Sequence, residues 1–228
     1  MHCWICGADG DSREHLIKAS DLRGVFGRHV TQTAPLYIHT SERKNRPVGG
    51  IKSDLLKFST RICRSCNNQR TQSHDRAWEQ FSSYLRGRQP PLRKGSIVRL
   101  ADVFPGSVRS SMMDVHLFFL KQFGCLIAEY SIPLDLGAFA RAICSTSAHP
   151  LVRIGVWTGF AGSVRKYAAR TVVQTAMLDG CVVYAGWFYF VDQIAINVMY
   201  ALPTEHRKGL VHSWHPNTVG KILHIAGP

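Results

Sequence analysis

Hydrophobic and polar positions change period along the chain. Residues 13–19 alternate, with Glu14 and Leu16 on one face and His15 and Ile17 on the other, as in a strand. Ser20 to Gly27 reads as a short helix turning at Gly24, residues 41–50 as a polar loop, and Lys52 to Thr60 as a second strand. The period then becomes helical: Ala77, Trp78, Phe81, Tyr84 and Leu85 predict a helix from about Asn67 to Gly87, stopped by Gly87 and Pro90-Pro91. Ser111 to Tyr130 and Leu134 to Ser145 follow as apolar-faced helices. The runs Leu151–Thr158, Arg170–Leu178, Cys181–Phe190 and Ile194–Leu202 are rich in β-branched and aromatic residues, and Asp179-Gly180 between two of them is a hairpin signal. This order predicts an α+β fold with an antiparallel sheet covered by helices. The proline-rich break divides it into an N-terminal unit at 1–88, a basic linker at 89–110 and an accessory domain at 111–228, with a sensor, assembly or DNA-positioning role.

Charge sharpens the division. The 228 residues carry a formal net charge of +13. Residues 1–110 hold 19 Lys and Arg against 9 Asp and Glu, whereas residues 111–228 hold 9 against 6. Such an excess attracts polyanions, so nucleic acid is the expected partner, DNA first and RNA still open. Arg43, Lys44, Arg46, Arg86, Arg88, Arg93 and Lys94 are the candidate phosphate contacts. The most apolar stretch, Val182 to Leu202, contains Asp192, Gln193 and Asn197, which argues for buried strands and against a membrane span.

Seven cysteines are present. Cys3-Trp-Ile-Cys6 and Cys63-Arg-Ser-Cys66 form two C-x-x-C pairs, the ligand set of a closed structural zinc site. Cys125, Cys144 and Cys181 stand alone in apolar stretches and read as buried small hydrophobes. An odd count, with no targeting segment ahead of Cys3, points to a reducing, cytoplasmic setting.

Between the knuckles lies Glu14-His15, and the second knuckle runs into Asn67-Asn68-Gln-Arg-Thr-Gln-Ser-His74-Asp75. On a helix, Asn67, Thr71, His74 and Trp78 share one stripe, while Asn68, Thr71, Gln72 and Asp75 share the next. One of the two asparagines also suits the helix cap. At these residues the chain resembles the HNH family of ββα-metal endonucleases, which often carry C-x-x-C, then an acidic residue and His followed by two hydrophobic residues, then C-x-x-C with His or Asn. The resemblance covers roughly residues 1–85.

The resemblance implies a metal-dependent endonuclease hydrolysing DNA phosphodiester bonds, with restriction or anti-phage defence as a natural setting. Glu14 would bind a catalytic Mg²⁺, Mn²⁺ or similar ion and His15 would be the general base. The family's asparagine in the second strand is absent from Leu56–Thr60, so a helix residue must complete the ion site. The pairs are Asn68 with Asp75, which suits Mg²⁺, or Asn67 with His74, which suits softer ions and is favoured by the family's terminal histidine ligand. A competing reading is a non-catalytic zinc-knuckle nucleic-acid-binding protein. The C-terminal half would contact a regulatory partner or a second copy of the chain. His206, His212, His215 and His224 read as solvated or phosphate-touching.

Overall fold

The computed structural model describes residues 1–159, 166–218 and 220–227. The chain is α+β. Helix α1 (Ala19–Phe26) is followed by the small hairpin of β1 (Leu36–Ile38) and β2 (Arg46–Val48). A short 3-10 turn (Asp54–Leu56) and a wide π turn (Ser65–Arg70) lead into α2 (Gln72–Gly87). Then come β3 (Ile97–Arg99), α3 (Leu100–Val103), the long α4 (Val108–Tyr130) and α5 (Leu136–Ser145). The remaining strands are β4 (Val152–Thr158), β5 (Ala168–Arg170), β6 (Gln174–Leu178), β7 (Cys181–Val191), β8 (Ile194–Ala201), β9 (Ser213–Trp214) and β10 (Ile222–His224), with α6 (Lys208–Val211) before β9.

The sheet is antiparallel and six-stranded, in the order β5-β7-β8-β4-β9, with β6 also paired to β7. Asp179 and Gly180 turn the β6–β7 hairpin at φ 50° and 78°, the left-handed pair that a tight two-residue turn requires. The run from Val182 to Leu202 forms buried β7 and β8, and no helix of the described residues is long and apolar enough to cross a membrane.

Both halves of the chain contribute to one hydrophobic core. Trp78 of α2 stacks on Phe118 of α4 at 5.5 Å between ring centroids and meets Tyr189 of β7 edge-on at 5.6 Å. Trp4 of the first knuckle packs on α4 at Gly124, where a Cβ would collide with the indole. The segment expected to be a linker is woven into this core: Leu92, Val98, Leu100, Val103 and Phe104 are buried, and β3 pairs with β10. Its apolar residues win over its proline and basic composition.

Three local expectations differ. Residues 12–16 and 56–62 pair antiparallel only through isolated bridges, Ser12 to Ile62 and His15 to Lys57, because α1 begins at Ala19 and cuts the first strand short. In the second segment, Ser53 accepts a hydrogen bond from the Leu55 amide and starts a 3-10 turn where strand was expected. Of the lone cysteines, Cys125 is buried, whereas Cys144 and Cys181 are exposed.

His215 is buried rather than solvated. It joins His116 of α4 and His149 beneath the sheet, 5.4 Å from the His116 ring, with His215 Nε2 3.0 Å from the His149 carbonyl. His206, His212 and His224 are exposed. Burial holds His116 well below the ordinary histidine range and brings His149 down to about 4. The unfolded chain, with histidines near 6.5, binds these protons first. Stability is therefore full above about pH 6.5 and declines as the pH falls toward 4. His149 alone should remove ~2 kcal/mol by pH 5. Urea midpoints at pH 7, 6 and 5 check this, and a His149→Gln variant should flatten the decline. A wild-type midpoint constant over that window rules the linkage out.

Candidate functional site

The four knuckle cysteines converge. Their sulfurs all lie within 4.8 Å of one another, with Cys6 Sγ and Cys63 Sγ 3.6 Å apart. Zn–S bonds of about 2.3 Å in a tetrahedron place sulfurs about 3.8 Å apart, so this set fits a zinc ion. Burial and the neighbouring thiols push the Cys66 thiol up, so without a cation Cys66 is a neutral thiol rather than a thiolate. The π turn follows from the same corner: the Thr71 hydroxyl donates to the carbonyls of Cys66 and Asn67, widening the backbone before α2 begins.

Across this corner lies the Glu14–His15 segment. Asn67 ties it to the helix, its side-chain amide donating to Ser12 Oγ at 2.9 Å and to the Arg13 carbonyl at 3.3 Å. Opposite, the Phe58 amide donates to the Glu14 carbonyl and the Leu16 amide to the Leu56 carbonyl. Glu129 of α4 accepts from the amides of Ser59 and Thr60 and anchors the second segment in turn.

His15 is half-buried, and its Nε2 lies 3.2 Å from the Ile51 carbonyl. A carbonyl only accepts, so Nε2 carries the proton and Nδ1 keeps a lone pair. Burial, opposed by the Glu14 carboxylate, lowers the pKa of the ring below its ordinary value, so the imidazole is neutral at pH 7.

Glu14 points the other way, into the core. Lys121 of α4, with none of its side chain exposed, places Nζ 2.7 Å from Glu14 Oε2, 2.9 Å from Asp75 Oδ1 and 3.1 Å from Thr71 Oγ1. Lys18 adds a second ammonium 3.0 Å from Asp75 Oδ2. Burial alone would raise the Glu14 carboxyl; Lys121 and then Lys18 overturn this and hold it below the usual range. Burial alone would lower Lys121, and the carboxylates of Glu14 and Asp75 keep it charged.

The structure thus brings Glu14 and Asp75 together, but around an ammonium. A divalent ion beside a buried, charged lysine meets direct repulsion, so this pair does not fit one. Among the described residues, the only cluster of three or more metal-type ligands is the four cysteines. His74 is buried on the core-facing stripe of α2, its Nδ1 3.7 Å from Asp114, and burial followed by the Lys121 charge lowers it to about 4. Asn68 is exposed.

Sequence reasoning missed Lys121, Asp114 and Asp21. Asp21 is a buried carboxylate that accepts from Trp78 Nε1 at 2.7 Å, Ser82 Oγ at 2.6 Å and the Tyr189 hydroxyl at 2.7 Å. Arg86, expected on phosphate, instead lies 3.7 Å from Asp21 and over Gly24. Arg88 donates to the Ile97 carbonyl. Arg43, Lys44, Arg46, Arg93 and Lys94 are exposed.

No protein-family model, curated protein or solved structure matches the chain.

Proposed function

We propose that the chain is an endonuclease hydrolysing phosphodiester bonds of nucleic acid, with His15 as the general base. The carrying observation is the Ile51 carbonyl on His15 Nε2, which orients a neutral imidazole and leaves Nδ1 to accept a proton from water. Asn67 is a positioning residue, holding the backbone on which His15 rides. The structural zinc, held by Cys3, Cys6, Cys63 and Cys66, would fix the corner between the His15 segment and α2. A divalent ion, as in the HNH family, would stabilise charge on the phosphate. The Glu14–Asp75 pair does not fit it, so the roles assigned here rest on this chain's own side chains.

A second reading has its own support. The ammonium of Lys121 between the expected ligands suits a zinc-knuckle protein that binds nucleic acid without cutting it. Nicking of supercoiled plasmid with Mg²⁺ or Mn²⁺ decides between them. The nuclease reading expects activity that falls by ~10²–10⁴-fold in His15→Ala, the usual contribution of a general base. DNA retained in a shift assay without cleavage by the wild type supports the binding protein.

A further inference from the structure

A cavity of about 510 Å³ opens between α1, β1 and β5. Its apolar lining includes Leu16, Leu22 and Phe26, and its lips carry Tyr37, Tyr130 and Arg170. Tyr37 and Tyr130 are 48% and 52% exposed, so both rings are open to a ligand beside the apolar lining. Arg170 lies 5.5 Å from the Tyr130 ring centroid and 5.3 Å from that of Phe58, and donates to the Tyr130 hydroxyl at 2.8 Å. This holds a flat cation and an aromatic ring in place at the mouth.

The rim is basic. Thr40 lines the cavity and also fixes the β1–β2 turn: its amide donates to the Arg43 carbonyl and its hydroxyl accepts from the Arg43 amide. That turn carries exposed Arg43 and Lys44, and β2 opens with exposed Arg46, against one acid, Glu42. An apolar, aromatic slot with Arg170 at its lip and a basic turn adjoining it matches one ligand chemistry above others, a base out of its stack with its phosphates outside. A duplex buries its bases and can offer one only by extruding it. A peptide strand on β5 would use that strand's edge, unpaired by any described strand, but an apolar peptide leaves the rim cations without partners.

We infer that this cavity binds an unstacked nucleotide of single-stranded or locally opened nucleic acid, its base beside Tyr37 and Tyr130 and its phosphates on Arg43, Lys44 and Arg46. The inference rests on the nucleic-acid reading above and names its substrate class. Leu16 and Ile17, which line the cavity, follow His15 in the chain, so the proposed base lies next in sequence to the cavity wall.

The test is fluorescence anisotropy of full-length His15→Ala protein, which keeps substrates intact, with a labelled single-stranded oligothymidylate and with a matched hairpin duplex at fixed salt. The single strand should bind tighter than the duplex. Tyr37→Ala should weaken single-strand binding about fivefold or more, the loss of one base–aromatic stack. Val172→Glu places an acid at the exposed lip and should do the same. Both positions are exposed enough for folding to survive, and zinc content and melting temperature verify it. Wild-type-like affinity in both variants overturns the inference, as does a duplex bound as tightly as the single strand. The two proposals fail separately: plasmid nicking with unaffected groove variants sinks the groove alone, and groove-dependent binding without His15-dependent cleavage sinks the nuclease alone.

Discussion

Replacing Lys121 with Met should cost the protein about 3–5 kcal/mol, the largest expected loss from any single side chain outside the knuckles. The lysine sits between Glu14 and Asp75 with no exposed surface. Methionine keeps the packing volume but removes the charge, leaving Glu14 buried without its main partner and Asp75 held only by Lys18. A carboxylate in that position protonates or draws in water, and either response loosens the contact between α4 and α2. Chemical denaturation of wild type, Lys121→Met, Glu14→Gln and the double variant measures the coupling as a double-mutant cycle. The double variant should recover much of the loss, because removing both charges ends the desolvation problem. A Lys121→Met protein as stable as wild type shows that the buried ion pairs contribute nothing net.

The second large effect belongs to the metal. One zinc per chain is expected in purified protein, and Cys63→Ser should contain none. Structural zinc contributes roughly 10–16 kcal/mol in isolated finger peptides, as much as the whole 5–15 kcal/mol stability of a typical domain. Here the knuckles share the core of the whole molecule, since Cys3, Ile5, Ile62, Cys63 and Cys66 are buried with the rest. The loss should therefore spread: Cys63→Ser should melt α2 and α4 together rather than release a frayed N-terminus. Elemental analysis and hydrogen exchange over 72–87 and 108–130 check both statements. Folded protein free of zinc ends the first, and exchange confined to 1–66 ends the second.

Periodicity made most of the architecture legible. Trp78, Phe81 and Leu85 marked the buried face of α2, and the apolar runs after Leu151 became the sheet. Spacing alone sufficed for the knuckles because two C-x-x-C pairs have few other uses. The ion site was less legible, since a stripe on a helix says which residues share a face but not what the face meets. His74 and Asp75 meet α4, and the residue there is a lysine. Its signal was present: a lysine in the middle of Leu-Phe-Phe-Leu-Lys-Gln-Phe must either break the apolar face or find a buried anion. The docking of residues 92–104 was less legible, because Pro90-Pro91 and four cations within residues 86–94 outweigh the isolated apolar residues there.

The pairing of β3 with β10 sets the order in which the molecule can be completed on a ribosome. All four zinc ligands emerge by residue 66, so the knuckles can load metal while most of the chain is still untranslated. Glu14 and Asp75 then wait, hydrated and negatively charged, for Lys121 to follow. Strand β3 waits longer still, because residues 97–99 have no strand partner until 222–224 have been made. A nascent chain can therefore hold its metal early, while Glu14 and Asp75 stay without Lys121 until α4 arrives and β3 stays unpaired until β10 is made.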